Sequence, residues 1–360
     1  MSSRRKFLRN AAAAAIAPLL PLPALAAVTA PKPSELPYIP IDQIPNHRAL
    51  MRQIVIGLSD YCRRRQPGFV VLARNAPELL VKETHEVEWE RARDPDGASM
   101  GRYSAAGSLD APYLNAIDGM LIDGLSYGHE VYERATQPGD QALLANAAAM
   151  LHHEGRRGFG IEYCKDAKHR AEAATRAAKA NLLTYFDGEG DRSLSHIPAG
   201  APSGENSNHI TDLTGVKTYL PLLSSAGFAR RERWLDALAG TNYDLLIIDP
   251  FWRGQSMTVQ DVRALKFKRL GSERLVFATL PVGYAAVDRF YWQAGWQVGS
   301  PDFLEAVDPD ETSHFITNYW ADSWKKVLGN YVTGLCDLGI DGVLLDGLES
   351  YLYFEAMQPF

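Results

Sequence analysis

Cysteine is scarce in this chain: three in 360 residues, Cys62, Cys164 and Cys336, too few and too scattered for a disulfide framework or a four-thiolate zinc site. No run of lysine and arginine exceeds three residues, and the formal net charge is -6, so nucleic acid is not an expected partner. No apolar stretch reaches the ~20 residues that a bilayer-crossing helix needs. A glycine-rich phosphate loop after the first strand is missing, as is a Gly-x-Ser-x-Gly elbow. The nine histidines scatter, with His152 and His153 adjacent rather than one helical turn apart, so no metal and no cofactor is expected. What is present is ordinary for a globular protein: 46% hydrophobic and 22% charged residues.

The first residues read as an address. Arg4-Arg5-Lys6-Phe7-Leu8-Arg9 precede an Ala-rich apolar stretch ending in Ala24-Leu25-Ala26, the pattern of a twin-arginine export signal cleaved near Ala26. Residues 1–26 are therefore expected to be removed, with a periplasmic or secreted product and no membrane span after cleavage. The remainder would hold 33 basic against 43 acidic residues, a balance suited to a neutral or cationic ligand. The Pro-rich segment 27–47 reads as a linker, and 48–360 as a single domain.

Within that domain short apolar runs alternate with helical patterns. Strands are predicted at 68–74, 118–125, 158–163, 181–186, 217–222, 244–250, 275–282 and 342–346, and helices between them include 167–178 and 323–338. Near-continuous apolar strands suit a parallel sheet covered on both faces. Eight such units predict an α/β fold of the (β/α)8 TIM-barrel type; a doubly wound open sheet is the alternative. Asp244 and Asp341, at strand starts, read as structural.

In a parallel barrel the chemistry lies at the carboxyl ends of the strands. Those ends deliver Asn75, Asp123, Glu162 with Tyr163, Tyr185, Asp249, Tyr284 and Asp346. Several carboxylates on one rim, with nearby aromatics such as Tyr291, Trp292 and Trp320, suit glycoside chemistry. One carboxyl protonates the leaving oxygen, a second attacks or activates water, and aromatic faces pack on sugar rings.

The segments YDLLIIDPF (243–251), LPVGYAAVDRFYW (280–292), NYWADSW (318–324) and LGIDGVLLDGLESY (338–351) resemble glycoside hydrolase family 114, the endo-α-1,4-polygalactosaminidases and their relatives, TIM barrels. QPGFVVLARNAPELL (66–80), AIDGMLIDGLSYG (116–128) and GFGIEY (158–163) resemble that family's second half, so the order is swapped. Residues 48–187 correspond to family strands five to eight, 211–360 to strands one to four, and 188–210 to a loop joining the ancestral ends. The resemblance implies Asp346 and Asp123 as the catalytic pair, with Asp123 standing where the family usually carries Glu. It also implies that Asp249, Asn75, Arg289, Tyr291 and Trp320 line the cleft. The family's Gly-Glu-Ala-Glu motif is here Gly283-Tyr284-Ala285-Ala286, without either acid. The implied activity is cleavage of an amino-sugar polysaccharide by a monomeric enzyme; the alternative is a barrel that binds carbohydrate without cleaving it.

Overall fold

The structure, a computed structural model, describes residues 40–190 and 192–358. The expected export signal and most of the expected linker lie outside the described residues.

Eight strands form one sheet: β1 (Val70–Arg74), β2 (Gly119–Asp123), β3 (Arg157–Tyr163), β4 (Leu182–Asp187), β5 (Tyr219–Leu222), β6 (Leu245–Ile248), β7 (Leu275–Pro281) and β8 (Gly342–Asp346). They lie in the order β4-β3-β2-β1-β8-β7-β6-β5, and every pairing is parallel. Strand β1 pairs β8 with Leu72 opposite Leu344, so the first and last strands of the barrel meet in mid-sheet. The result is a nearly closed barrel. Its open seam is between β4 and β5, where the rings of Tyr185 and Tyr219 lie 6.1 Å apart without a ladder of backbone hydrogen bonds among the described residues.

All eight predicted strands are found, with ends within a residue or two. Each is apolar because it is enclosed on both faces: every residue of β2, β5, β6 and β7 is buried. The expected helices are Ala167–Lys179 and Asp322–Leu338. Three strands share a pattern with a mechanical meaning. Asp118 and Asp123, Asp244 and Asp249, and Asp341 and Asp346 each stand five positions apart around β2, β6 and β8. At the foot of each strand the first Asp accepts backbone N–H groups from the strand before it in barrel order. Asp118 takes Val71 at 2.8 Å, Asp244 takes Lys217 at 2.8 Å and Thr218 at 3.1 Å, and Asp341 takes Val276 at 2.9 Å. Since side chains alternate along a strand, a residue five positions on faces the other way. The lower Asp ties neighbouring strands together and the upper one is turned to the mouth. The structural roles read for Asp244 and Asp341 are these ties.

Helices connect most successive strands, with one exception. The crossover from β4 to β5 carries only the short turn Leu213–Gly215 in place of a helix. This segment is fastened at the foot of the barrel, where the fully buried Lys268 ammonium holds the Asn206 and Asn208 carbonyls at 3.2 and 2.9 Å and pairs with Asp244 at 2.6 Å. Conversely, an extra helix, His47–Arg65, precedes β1. Its Met51, Ile54, Val55, Leu58 and Cys62 recur at helical spacing and face the core. It packs between Ala111–Ala116 and Asp322–Leu338, covering β1 and β8.

Loops after β6 and β7 build up the mouth with short antiparallel strands: Phe251–Trp252 with Gln255–Ser256, and Tyr284–Ala286 with Leu304–Val307 and His314–Thr317. These strands of two to four residues carry too short an alternation to be read from sequence. No helix among the described residues is long and apolar enough to cross a membrane.

Candidate active site at the mouth of the barrel

Strand β1 ends in Arg74, whose guanidinium lies between two acids from different strands. Its Nη2 donates to Asp123 Oδ2 at 2.8 Å, its Nε to the same oxygen at 3.1 Å, and its Nη1 to Asp346 Oδ2 at 3.2 Å. The terminal nitrogens of a guanidinium are ~2.3 Å apart, so these two carboxylate oxygens are separated by at most about 8 Å, below the ~9.5 Å upper limit for glycosidase carboxyl pairs. Residues more than 220 positions apart in sequence thus share one cation.

The supports of each acid differ. Asp123 is nearly inaccessible, with a side chain 5% exposed. Asn75 donates to its Oδ2 at 3.3 Å and accepts its backbone N–H at 2.9 Å. Those contacts hold a strained corner, for Asn75 and Ala76 are consecutive left-handed residues with φ of 54° and 53°. The Oδ1 of Asp123 is buried with no hydrogen-bond partner among the described residues. Asp346 is 20% exposed. Its Oδ1 accepts the Gly347 N–H at 2.9 Å, and its Oδ2 also accepts the Tyr284 hydroxyl at 3.1 Å. Tyr284 in turn stacks on His314, ring centroids 4.5 Å apart, with burial holding the imidazole's pKa down. Tyr163 completes the cluster, its hydroxyl 3.5 Å from Arg74.

A third acid, Glu349, sits one turn beyond Asp346 on Leu348–Ser350. No hydrogen bond holds its carboxyl among the described residues. Burial, and then the negative fields of Glu78 and Asp123, push its pKa up to about 7, against the opposing pull of Arg74. Glu349 therefore titrates near neutrality rather than as an ordinary carboxyl.

Beside this cluster Asp249, at the end of β6, meets Arg289 at 2.9 Å. Burial raises the Asp249 pKa to about 6 although the guanidinium opposes it. Arg289 also lies over the Phe251 ring, 5.0 Å from its centroid, and its charge reaches Tyr284 and His314. The two ion pairs are thus neighbours across Tyr284.

The other sequence candidates lie elsewhere. Glu162 is 1% exposed and accepts the backbone N–H groups of Ser126 at 3.0 Å and Tyr127 at 2.8 Å, so it fixes the loop after β2. Burial brings its pKa to about 7 against those hydrogen bonds. Tyr185 faces the β4–β5 seam. Tyr291 is buried against Trp324, its hydroxyl accepting the Ala286 N–H at 3.0 Å, and Trp292 packs on Trp296 and Phe315. Trp320 corrects the expectation of a cleft-lining ring: it is packed among His47, Tyr319 and Phe354, in the helical layer beside His47–Arg65. Its segment leads into a barrel helix, and that directs the indole outward.

Arg74, Glu349 and His314 went unpredicted. A lone arginine closing the apolar run VVLAR was the available signal for the first, since burying that charge demands a partner. For Glu349 there was only its position three residues after Asp346. Among the described residues no cluster of three His, Cys, Asp or Glu side chains is arranged to hold a metal ion.

No family model matches the sequence. The chain is similar to uncharacterized proteins of three organisms. One from Deinococcus radiodurans is 32% identical over 118 residues, 32% of this chain and 37% of that protein. One from Methanocaldococcus jannaschii is 27% identical over 150 residues, 41% of this chain and 42% of that protein. One from Thermotoga maritima is 31% identical over 77 residues, 21% and 24% respectively. The chain thus spans between about a quarter and two fifths of the curated relatives it matches.

Proposed function

We propose that this protein is an exported glycoside hydrolase, a permuted relative of glycoside hydrolase family 114 that cleaves an amino-sugar-containing polysaccharide. The observation that carries the reading is the arrangement at one mouth: two carboxylates bridged by Arg74, one of them the accessible Asp346, and a third carboxyl, Glu349, that burial raises to about 7. The roles divide by environment. Glu349, titrating near neutrality and without a competing hydrogen bond, donates the proton to the glycosidic oxygen. Asp346, the more accessible aspartate, attacks the anomeric carbon or activates water. Asp123, almost sealed, fixes Arg74 and through it the orientation of Asp346. Acids unbalanced by Arg74 favour a cationic sugar at this rim, and export rests on the N-terminal pattern Arg4-Arg5.

The permutation is supported by where helices are missing and added. A barrel opened at the family's usual place has its ends at the point that here is the helix-free β4–β5 crossover. The present ends meet instead beside β1 and β8, where Gln358 donates to the Pro45 carbonyl at 3.2 Å and Arg48 pairs with Glu355 at 2.7 Å. Adjacent surface ends are what makes circular permutation tolerable.

The test is reducing-end release from polygalactosamine and from partly deacetylated chitin. E349Q and D346N are each expected to reduce release by ~10²-fold or more. Release equal to wild type in both variants would overturn the role assignment. The second reading, a barrel that binds carbohydrate without turnover, is favoured by Tyr284 and Ala286 standing where the family carries acids. Calorimetric binding of those glycans with no cleavage over days would select it.

A further inference from the structure

Two of the three cysteines, set far apart in the sequence, are brought together by the fold. Cys62 lies on the last turns of His47–Arg65 and Cys336 on the last turns of Asp322–Leu338, and the two thiols lie near enough for each to shift the other's ionisation. Contacts before and after them fix the register of the two helices. Tyr61 and Thr333 join hydroxyls at 2.7 Å, Arg65 pairs with Asp337 at 2.5 Å, and Gln66 donates to the Ile340 carbonyl at 3.1 Å. Cys62 is buried, whereas Cys336 is partly open to solvent. The third cysteine, Cys164, is buried in a separate cluster with Tyr127 and Ala173.

We propose that Cys62 and Cys336 are a dithiol that closes to an intramolecular disulfide when the folded chain meets a small-molecule or protein disulfide. The reaction is thiol–disulfide exchange in two steps. The Cys336 thiolate attacks one sulfur of the oxidant, forming a mixed disulfide and expelling one thiolate. Cys62 then loses its proton and attacks the Cys336 sulfur, expelling the second. The protein gives up two electrons and two protons, and the oxidant leaves as two thiols. Exposure decides the order, and the mutual influence of the two thiols acts in the same sense: it lowers the Cys336 pKa and, with burial, raises that of Cys62.

The bond would staple the helix covering β1 and β8 to the helix that leads into β8. That helix is otherwise joined covalently to the barrel only through the turn into β1, so the link closes a loop of most of the domain, the case in which cross-linking constrains the unfolded chain most. Because the thiols meet only in the folded chain, the link follows folding and does not guide it. The inference stands apart from the glycosidase reading.

The test uses the full-length chain, reduced and then incubated with oxidised glutathione at pH 8, and alkylated in denaturant before intact-mass analysis. Two of three thiols should be lost to one internal disulfide, mapped by proteolysis to the peptides bearing Cys62 and Cys336. Thermal unfolding of the oxidised form should move up by roughly 5–10 °C and return on reduction. C62S should accumulate a glutathione adduct on Cys336, while C336S should leave Cys62 unmodified. Alkylation of all three thiols in a chain that still unfolds cooperatively would overturn the proposal, as would a link to Cys164. If either variant fails to fold, the wild-type mass result decides alone.

Discussion

Replacing Arg74 by Met tests the heart of the site directly. The guanidinium makes three contacts of 2.8 to 3.2 Å to two acids, and the three side chains are only 18%, 5% and 20% exposed. Met retains most of the apolar stem and removes the charge. Taking one partner from a fully buried ion pair costs ~3–5 kcal/mol, because the remaining charge is left uncompensated. Partial solvent access at Asp346 screens part of that, so about 2–4 kcal/mol is expected for R74M. For a domain of this size that lowers the melting temperature by ~4–8 °C. The decisive measurement is a double-mutant cycle by urea unfolding. Neutralising Asp123 removes one of the two charges that Arg74 leaves stranded, so R74M/D123N should be less destabilised than the sum of the single variants by ~1–3 kcal/mol. R74K should fall between, since an ammonium cannot contact both acids with a planar fork. Strict additivity of R74M and D123N would refute the shared-cation reasoning.

Further outcomes are expected from Glu349, from His85 and His47, and from Gly283. Because Glu349 is raised to about 7, turnover that depends on its proton should fall as pH rises through 7, and E349Q should abolish that limb in a pH–rate profile. The same shift penalises the folded state progressively between ~4.5 and 7, so E349Q should melt higher than wild type at pH 8. His85, raised to about 9 by its contacts with Glu355 and Glu83, contributes stability present below pH 6.5 and lost as pH rises through 9. His47, lowered to about 4 by burial, contributes stability present above 6.5 and lost as pH falls toward 4, a gain that Glu349 offsets between ~4.5 and 7, so the alkaline limb is the clean readout: H85Q should flatten the fall in urea midpoint between pH 7 and 9. G283A should cost ~1–3 kcal/mol and depress activity, since a Cβ there overlaps the Gly347 carbonyl and the Ser350 hydroxyl and would push Tyr284 off Asp346; a melting curve and a rate equal to wild type would contradict this.

Much of the architecture was legible in one dimension. A strand enclosed on both faces must be apolar throughout, so eight such runs separated by helical spacing announced a parallel barrel without any long-range information. The i, i+5 aspartates also belong to this class. Position along the strand sends one to the foot and the other to the mouth, and because the chemistry of a parallel barrel lies at the carboxyl ends of its strands, Asp123, Asp249 and Asp346 could be named as rim residues. Trp320 marks where that reasoning stops, because a residue in a loop or at a helix start has no period to say which way it faces.

Sequence by itself determined the strands, their parallel sense and the aspartates at their ends, because these follow from local periodicity and from the need to bury apolar runs. Tertiary structure alone decided what those ends do to one another. Folding set Arg74 between two acids of separate strands, buried Glu349 beside them so that it titrates near neutrality, and laid Cys336 near Cys62. Coulomb interaction, desolvation and thiol contact depend on distance in space, and distance along the chain carries almost no information about that once a barrel has closed.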